Sequence, residues 1–196
     1  MEVNYYMKRT DEIRQKIVKW QEMNTSYLNE IKSLVTERKA LNEFHVISYF
    51  SYSLNIFHKP GIENYCLGSF HIQNVGGRPL TNPYICIKVS QDSPFDFSGK
   101  YLYKDSKQKM RLTNAWERIN DPMDKQEYWL KPVGKSVLNP SETLTFSNFQ
   151  MKWLPESSYA GSIMGFTYGD EAKDGISSFN QINVNGTIVE EERGDE

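Results

Sequence analysis

The feature that most constrains this chain is a change in the period of its apolar residues near residue 43. From Asp11 to Asn42, apolar side chains recur in steps of three and four, which is the pattern of a helix with one apolar stripe. After Phe44, apolar and polar residues alternate in short runs, which is typical of β-strands. The sequence therefore predicts a mainly β protein, with a single β-sandwich preceded by a long N-terminal amphipathic helix of coiled-coil character.

The predicted helix carries a heptad pattern, a seven-residue repeat whose first and fourth positions (a and d) face a partner helix. We predict that seven residues at these positions carry self-association: Ile13, Ile17, Trp20, Asn24, Tyr27, Ile31 and Leu34. A single asparagine at an a position costs stability but favours the register in which it meets its counterpart. Leu28 and Val35 widen the stripe, so a dimer, a trimer and a helix packed on its own sandwich all stay open. Arg38 and Leu41 continue the a and d positions.

The composition disfavours several classes of function. The 196 residues carry a formal net charge of -2, so no global field attracts nucleic acid or anionic membrane. No apolar run approaches the roughly 18 residues of a membrane span, and Met1 to Lys19 lacks the apolar segment of a secretory signal. We expect no nucleic-acid partner, no membrane insertion and a cytoplasmic location by default, with assembly into a particle or at a surface left open.

The same patterns predict the domain organisation. Residues 1–43 form the N-terminal helix, and residues 44–189 form the β-sandwich with a helical or loop insertion near 92–125. Within the insertion, Leu112, Trp116 and Ile119 share one face of a predicted helix at 106–119. Residues 190–196 are an acidic tail that we expect to be disordered.

Strand predictions cover most of the second region, namely 44–57, 65–75, 80–90, 143–153, 162–168 and one or two strands within 176–189. Asn185-Gly186 is a strong local signal for a hairpin turn. Cys66 and Cys86 fall on two strands whose spacing suits no disulfide, so two free thiols are expected.

Two passages carry a family resemblance. The first runs from Phe70 through Asn74-Val75-Gly76 and Pro79-Leu80 to Val89, and the second runs from Leu138 through Pro140-Ser141-Glu142-Thr143 to Phe146. They resemble the strand-turn-strand passages of immunoglobulin-like and fibronectin-like β-sandwich modules, notably bacterial modules that act as adhesive or spacer domains. The resemblance implies an immunoglobulin-like sandwich and specifies no function.

Motifs that carry chemistry are sparse. The sequence has no nucleophile elbow and no phosphate-binding glycine loop, and its cysteines lack the close pairing of a zinc site. Asp170, Glu171 and Asp174 fit a solvated turn better than a calcium loop, because they lack the alternating ligand spacing. We therefore predict no catalytic residue, no metal and no cofactor.

These observations favour a non-enzymatic structural or protein-interaction subunit, which self-associates through its helix and presents its β-sandwich to a protein partner. One alternative is a glycan-binding module of a phage, spore or cell surface, with Trp116, Tyr128 and Trp129 as the stacking platform. Another is a monomeric adaptor or inhibitor that binds a different protein through the helix. The two helix-based hypotheses predict different masses for the isolated protein. Self-association predicts an oligomer, and the adaptor or inhibitor hypothesis predicts a monomer.

Overall fold

The chain divides into two units between Glu43 and Phe44. The computed structural model describes residues 2–40, 43–57, 59–91, 93–103 and 115–187, with the helix side chains described over 12–35. The side chain of Arg38, the whole of Leu41 and the predicted acidic tail at 190–196 lie outside these described residues.

The first unit holds one helix, α1 (Glu2–Ala40), whose 39 residues span about 58 Å. It begins well before Asp11, because Tyr6 and Val3 continue the heptad positions backwards along the sequence. The predicted long N-terminal helix is therefore confirmed, and it is longer than its most regular stretch indicated.

The second unit is built of strands, which confirms the mainly β prediction. The described residues form thirteen strands: β1 (Val46–Asn55), β2 (Asn64–Asn74), β3 (Leu80–Thr81), β4 (Tyr84–Val89), β5 (Asp96–Ser98), β6 (Tyr101–Tyr103), β7 (Trp116–Arg118), β8 (Glu127–Pro132), β9 (Val137–Leu138), β10 (Thr143–Trp153), β11 (Tyr159–Gly169), β12 (Ala172–Ser177) and β13 (Ile182–Gly186).

Two sheets make the sandwich. A four-stranded sheet has the order β1-β2-β10-β5, and a seven-stranded sheet has the order β12-β11-β4-β8-β7-β6 with β13 also paired to β11. Neighbouring strands run antiparallel except β6 and β7, which are parallel. A small ladder of β3 and β9 lies beside them.

The core lies between the inner faces of the two sheets. Phe70 of β2 packs so closely on β11 that a Cβ added to Gly165 would lie 2.2 Å from its ring, which is why a glycine occupies that position. Phe97 of β5 and Tyr128 of β8 meet across the layers, with ring centroids 4.5 Å apart. Apolar burial between the sheets is the main stabilising term of such a sandwich. Its largest fully buried side chains are Phe70, Phe146, Phe149, Ile72, Leu80, Ile85, Ile87, Leu130, Leu138, Met151, Ile163 and Ile182.

A bulge in β10 changes which side chains reach this core. The register against β2 shifts between Phe146 and Phe149, and Asn148 adopts a left-handed conformation with φ of 58°. Strict alternation would turn one of the two phenylalanines outward, but both are fully buried. The bounds predicted for this strand are correct. The burial of both phenylalanines was not predictable from alternation, because it follows from the bulge.

Two local predictions are wrong. Trp116 to Arg118 form the short strand β7 and not the end of a helix, because these residues pair with β6 and β8; the stretch 104–114 lies outside the described residues. Asn185 and Gly186 do not form a hairpin turn but lie in β13, where they pair with Ala160 and Tyr159 of β11. In both places, pairing with distant strands overrides the local signal.

The two cysteines lie in different sheets and are free thiols. Burial raises the pKa of the Cys66 thiol to about 11 and the pKa of the Cys86 thiol to about 12. Both groups therefore stay protonated at neutral pH and act as small apolar side chains.

Candidate interaction surfaces

The apolar stripe of α1 is exposed along the whole of its described length. All seven residues predicted to carry self-association are exposed, and the six apolar ones have between 51% and 65% of their surface accessible. Their spacing places them within an arc of about 100° on a helix and over about 32 Å of its length. We call this surface the heptad stripe; its members are Ile13, Ile17, Trp20, Asn24, Tyr27, Ile31 and Leu34.

Further apolar side chains flank the heptad stripe. Leu28 and Val35 widen one side of it and are 57% and 48% exposed. Val18 and Met23 are exposed apolar residues elsewhere on the same helix. Monomeric proteins seldom expose large continuous apolar surfaces, so this stripe is a candidate interaction surface. No charged residue interrupts the a and d positions between Ile13 and Leu34.

The three residues predicted as a glycan platform do not share a surface. Trp116 is 2% exposed and Tyr128 is 4% exposed, and only Trp129 reaches the outside of the sandwich. Trp116 donates from Nε1 to the carbonyl oxygen of Thr145 at 3.0 Å, which ties β7 to β10. The predicted platform is therefore wrong, because alternation along β8 turns Tyr128 into the core and Trp129 away from it.

Trp129 instead belongs to a different cluster, on the outer face of the seven-stranded sheet. Tyr84 and Tyr168 are cross-strand neighbours whose rings stack at 5.1 Å with an angle of 8°. Trp129 lies 5.1 Å from Tyr168 and 6.1 Å from Tyr84, measured between ring centroids. We call these three residues the outer aromatic cluster. The sequence analysis did not predict this cluster. Tyr84 precedes the buried Ile85, and Tyr168 follows the buried Thr167, so alternation along each strand indicates that both tyrosines face outward.

A charged pair holds the tryptophan of this cluster in place. Glu127 accepts a hydrogen bond from Trp129 Nε1 at 2.7 Å, and its other oxygen lies 2.7 Å from Lys88 Nζ. The hydrogen bond from Lys88, followed by the one from Trp129, lowers the pKa of Glu127. The bond between Lys88 and Glu127 also raises the pKa of Lys88. Both side chains are about a third exposed, so the pair orients Trp129 and adds little stability.

A serine and a histidine meet on the outer face of the four-stranded sheet. Ser51 Oγ lies 2.8 Å from His71 Nε2, and His71 Nδ1 lies 3.1 Å from Thr145 Oγ1. Burial lowers the pKa of His71, so its imidazole is neutral at pH 7. The residue types are those of a nucleophile, a base and an orienting group. They lie on an open sheet face, however, where the ladder to β1 and the ladder to β10, which is in register as far as Phe146, use the backbone N–H groups around His71.

The acidic turn after β11 holds neighbouring strands together. Glu171 accepts from the backbone N–H of Thr81 at 2.7 Å and from its hydroxyl at 2.8 Å, and Asp170 accepts from Asn82 Nδ2 at 2.7 Å. These carboxylates thus fix the turn against β3. Among the described residues, no three His, Cys, Asp or Glu side chains gather as metal ligands. Within the same residues, no helix has the length and apolarity of a membrane span.

Comparison with known proteins assigns no family. No protein-family model and no curated protein matches the sequence. Among solved structures, a cohesin module from a family 33 glycoside hydrolase of Clostridium perfringens shares 6% identity and a TM-score of 0.39, covering 73% of this chain and 97% of that module. AvmM, which catalyses macrocyclization in alchivemycin A biosynthesis, shares 9% identity and a TM-score of 0.36, covering 74% and 89%. The ApaA protein from Bordetella pertussis shares 14% identity and a TM-score of 0.29, covering 75% and 92%. At such scores these likenesses indicate neither a function nor a partner, and the fold class is established by the strand order and register of the chain itself.

Proposed function

We propose that this protein is a non-enzymatic interaction subunit, which self-associates through α1 and presents its β-sandwich to a protein partner. The observation that carries the proposal is the heptad stripe, which combines exposed apolar side chains with a 3.5-residue period. Covering it with the same stripe of a second copy would remove apolar area from water, at about 25 cal/mol per Å². Interlocking a and d side chains would also give the helices a defined register.

Asn24 supports a specific pairing over a loose one. It lies in the middle of the described stripe and is the one a or d residue between Ile13 and Leu34 with a polar amide side chain. In a seam, this amide would be removed from water and would need a hydrogen-bonding partner, which its counterpart on another copy can supply. A shifted register would leave it unsatisfied. The residue thus favours one alignment of the helices.

The surroundings of the Ser51–His71 pair support the non-enzymatic part of the proposal. An acyl-transfer site needs donors aimed at a developing oxyanion and a pocket that excludes water. The pair lies on an exposed sheet face, and its contacts tie β1, β2 and β10 together. A strand-tying role accounts for these contacts without catalysis.

The mass of the full chain tests the proposal. We would measure it by light scattering over a range of concentrations for the wild type, for Trp20→Glu and for Asn29→Glu. Both substitutions add one negative charge to an exposed position of α1, but Trp20 lies in the heptad stripe and Asn29 lies on the opposite face. The expected result is an oligomer for the wild type and Asn29→Glu, and a monomer for Trp20→Glu.

Two outcomes would reject self-association through this stripe. If Trp20→Glu kept the mass of Asn29→Glu, the seam would lie elsewhere. If the wild type were monomeric at every concentration, self-association would be rejected. The remaining hypotheses would be a helix that packs on its own sandwich and a helix that binds a different protein, of which the adaptor hypothesis would come first.

A further inference from the structure

The edge of the four-stranded sheet at β1 is only half covered. The carbonyl oxygen of Ser48 accepts from the N–H of Phe179 at 2.8 Å. The N–H of Phe50 donates to Asn180 Oδ1 at 2.8 Å, and Asn180 Nδ2 donates back to the carbonyl oxygen of Phe50 at 2.9 Å. The backbone groups of alternate residues therefore point away from β2, and the chain near Asn180 caps them as far as Phe50.

Beyond Phe50, the same edge has no cap among the described residues. Tyr52 and Leu54 are the next residues with outward-pointing backbone groups, because such groups alternate along a strand. No described residue donates to or accepts from these outward groups. The open stretch is residues 51–55, from the end of the cap to the end of β1.

This open edge also lacks the features that normally keep sheet edges apart. The ten residues of β1 contain no charge, no proline and no glycine, and the ladder to β2 runs without a bulge. The edge strand β12 of the other sheet is different, since it carries Lys173 and Asp174 and a glycine with φ of 81° at Gly175. Of the other edge strands in the two sheets, β5 and β6 have three residues each, and β13 has five and ends in a glycine. Among the described strands, β1 is thus the long neutral edge.

The side chains of the open stretch are divided by polarity. Tyr52 and Leu54 lie on the core-facing side, in register with Gly68 and Cys66 of β2, yet each is 42% exposed. Ser51 and Ser53 are exposed on the other side. Apolar residues on the inner side of a sheet are normally covered, so this corner of the sandwich has an uncovered continuation of its core surface.

We propose that residues 51–55 of β1 pair antiparallel with the same residues of a second copy of this chain, about a two-fold axis at Ser53. In this register Tyr52 faces Leu54 of the other copy, so these residues exchange both backbone hydrogen bonds on each side of the axis. Apolar side chains meet apolar ones on the inner side, while Ser53 meets its own counterpart and Ser51 meets Asn55 on the outer side.

The limits of the open stretch select this register. Centred at Ser53, the pairing would place Phe50 opposite residue 56 of the other copy, one residue after β1 ends. The capped part of one strand therefore meets no strand of the other copy. Centring one residue earlier would set Phe50 against Leu54 and compete with the bonds from Asn180.

A second copy suits this edge because the edge is self-complementary. The stretch bears no charge, so two copies meet without like-charge repulsion. Five paired residues form a small contact, which needs a high local concentration to persist. Association through α1 would supply that concentration, but the pairing is carried by the edge itself and is tested separately.

Disulfide trapping in the full chain tests the pairing. In a non-hydrogen-bonded antiparallel pair the Cα atoms lie about 4.5 Å apart, which is within the range that a disulfide spans. We therefore expect Ser53→Cys to form a covalent dimer under mild oxidation, seen by non-reducing electrophoresis and intact mass. The native Cys66 and Cys86 are fully buried, so they add little background.

Ser51→Cys is the matched control, since the register separates the two copies of position 51 by about 13 Å along the strands.

A second pair of variants in the Ser53→Cys background tests the surface itself. Leu54→Lys places a charge on the open edge and should abolish the cross-link. Val75→Lys, at a similarly exposed position just after β2 and near the other end of β1, should leave it unchanged.

Absence of the Ser53→Cys dimer would overturn the proposal, even if light scattering showed an oligomer held by α1. Equal cross-linking by Ser51→Cys would overturn the register. A cross-link that survived Leu54→Lys would also count against pairing through this edge. A Ser53→Cys dimer without a Ser51→Cys dimer, lost with Leu54→Lys and kept with Val75→Lys, is the result that supports it.

Discussion

The helix and the sandwich of this protein use the same apolar residue types in opposite ways. Ile31 of α1 is 56% exposed and Trp20 is 65% exposed, whereas Ile163 of β11 is fully buried and Trp153 of β10 is 2% exposed. The sandwich buries most of its described large apolar side chains between its two sheets. The described helix presents its own to the outside. Large apolar residues thus maintain the fold in one unit, and in the other they are available for association.

The comparison also shows that a regular spacing of apolar residues indicates different things in a strand and in a helix. In a strand, alternation tells which side chains enter the core of the same molecule. In α1, the heptad period describes a stripe of exposed side chains that a second helix of the same period can cover. We expect substitutions in the two regions to affect different quantities, namely the free energy of unfolding and the mass of the assembly.

The largest expected contrast comes from one substitution made in both regions. Ile163→Ala removes a fully buried side chain and should cost about 2–5 kcal/mol of unfolding free energy. Ile31→Ala should change the unfolding of the sandwich by less than about 0.5 kcal/mol, because that side chain is exposed. Urea denaturation followed by near-UV circular dichroism measures the first quantity, and light scattering measures the loss of association expected for Ile31→Ala. Equal destabilisation of the sandwich by both variants would contradict the division.

A smaller loss is expected from the one buried arginine in the described core. Arg118 is 4% exposed and stacks over the ring of Tyr128 at 4.4 Å. Its guanidinium donates to the backbone carbonyl oxygens of Asp121, Asp124 and Glu127. Replacing it with methionine removes these three bonds and takes the donor from the carbonyl of Asp124, while Asp124 N–H and Asn120 Nδ2 still donate to the carbonyls of Asp121 and Glu127. The substitution should cost about 1–3 kcal/mol.

Thermal unfolding of Arg118→Met, with Lys131→Met as an exposed control on the neighbouring strand, measures this loss. The oligomer mass should not change in either variant. A stability equal to that of the control would mean that water replaces the arginine without cost.

Asn24→Leu should act on the assembly alone. In the proposed seam, replacing this amide with an apolar side chain should tighten association by about tenfold, or ~1.4 kcal/mol, because the polar residue lowers the stability of a coiled coil. The same change should broaden the distribution of oligomer masses, since the amide no longer favours a single register. Sedimentation at a series of concentrations measures both effects. Tighter association with an unchanged single mass would show that Asn24 does not specify the register.

The smallest effect concerns pH and the Lys88–Glu127 pair. The folded state lowers the pKa of Glu127 from its ordinary value of 4.5. Its contribution to stability is therefore fully present above that value and is lost as the pH falls towards the lower folded value. With both partners about a third exposed, the loss should be no more than about 0.5 kcal/mol.

Glu127→Gln should remove this part of the acid dependence, as measured by the unfolding midpoint at pH 6 and at pH 3. The exposed Glu156→Gln serves as the charge-matched control and should keep the wild-type dependence. Identical profiles for the two variants would show that the pair has no measurable role in stability.

Much of the fold follows from local patterns, and the candidate surfaces follow only in part. The bounds of β10 and the position of the heptad stripe were predictable, because each depends on a period within one segment. The platform of Trp116, Tyr128 and Trp129 was not, because their strands β7 and β8 turn the first two residues inward. The outer aromatic cluster unites three strands that are distant in sequence, so no local period reveals it.

The sequence by itself determined that a long apolar-striped helix precedes a β-sandwich, and which residues form the stripe. Periodicity suffices for this, because the conformation and the faces of one segment depend on neighbours three, four or two residues away. Only the tertiary structure decided that β1 is a neutral edge capped as far as Phe50, that β13 pairs with β11, and that a bulge turns both Phe146 and Phe149 inward. These outcomes depend on which distant strands pair and in what register. Such pairing is a choice among competing long-range contacts, and no single segment encodes it.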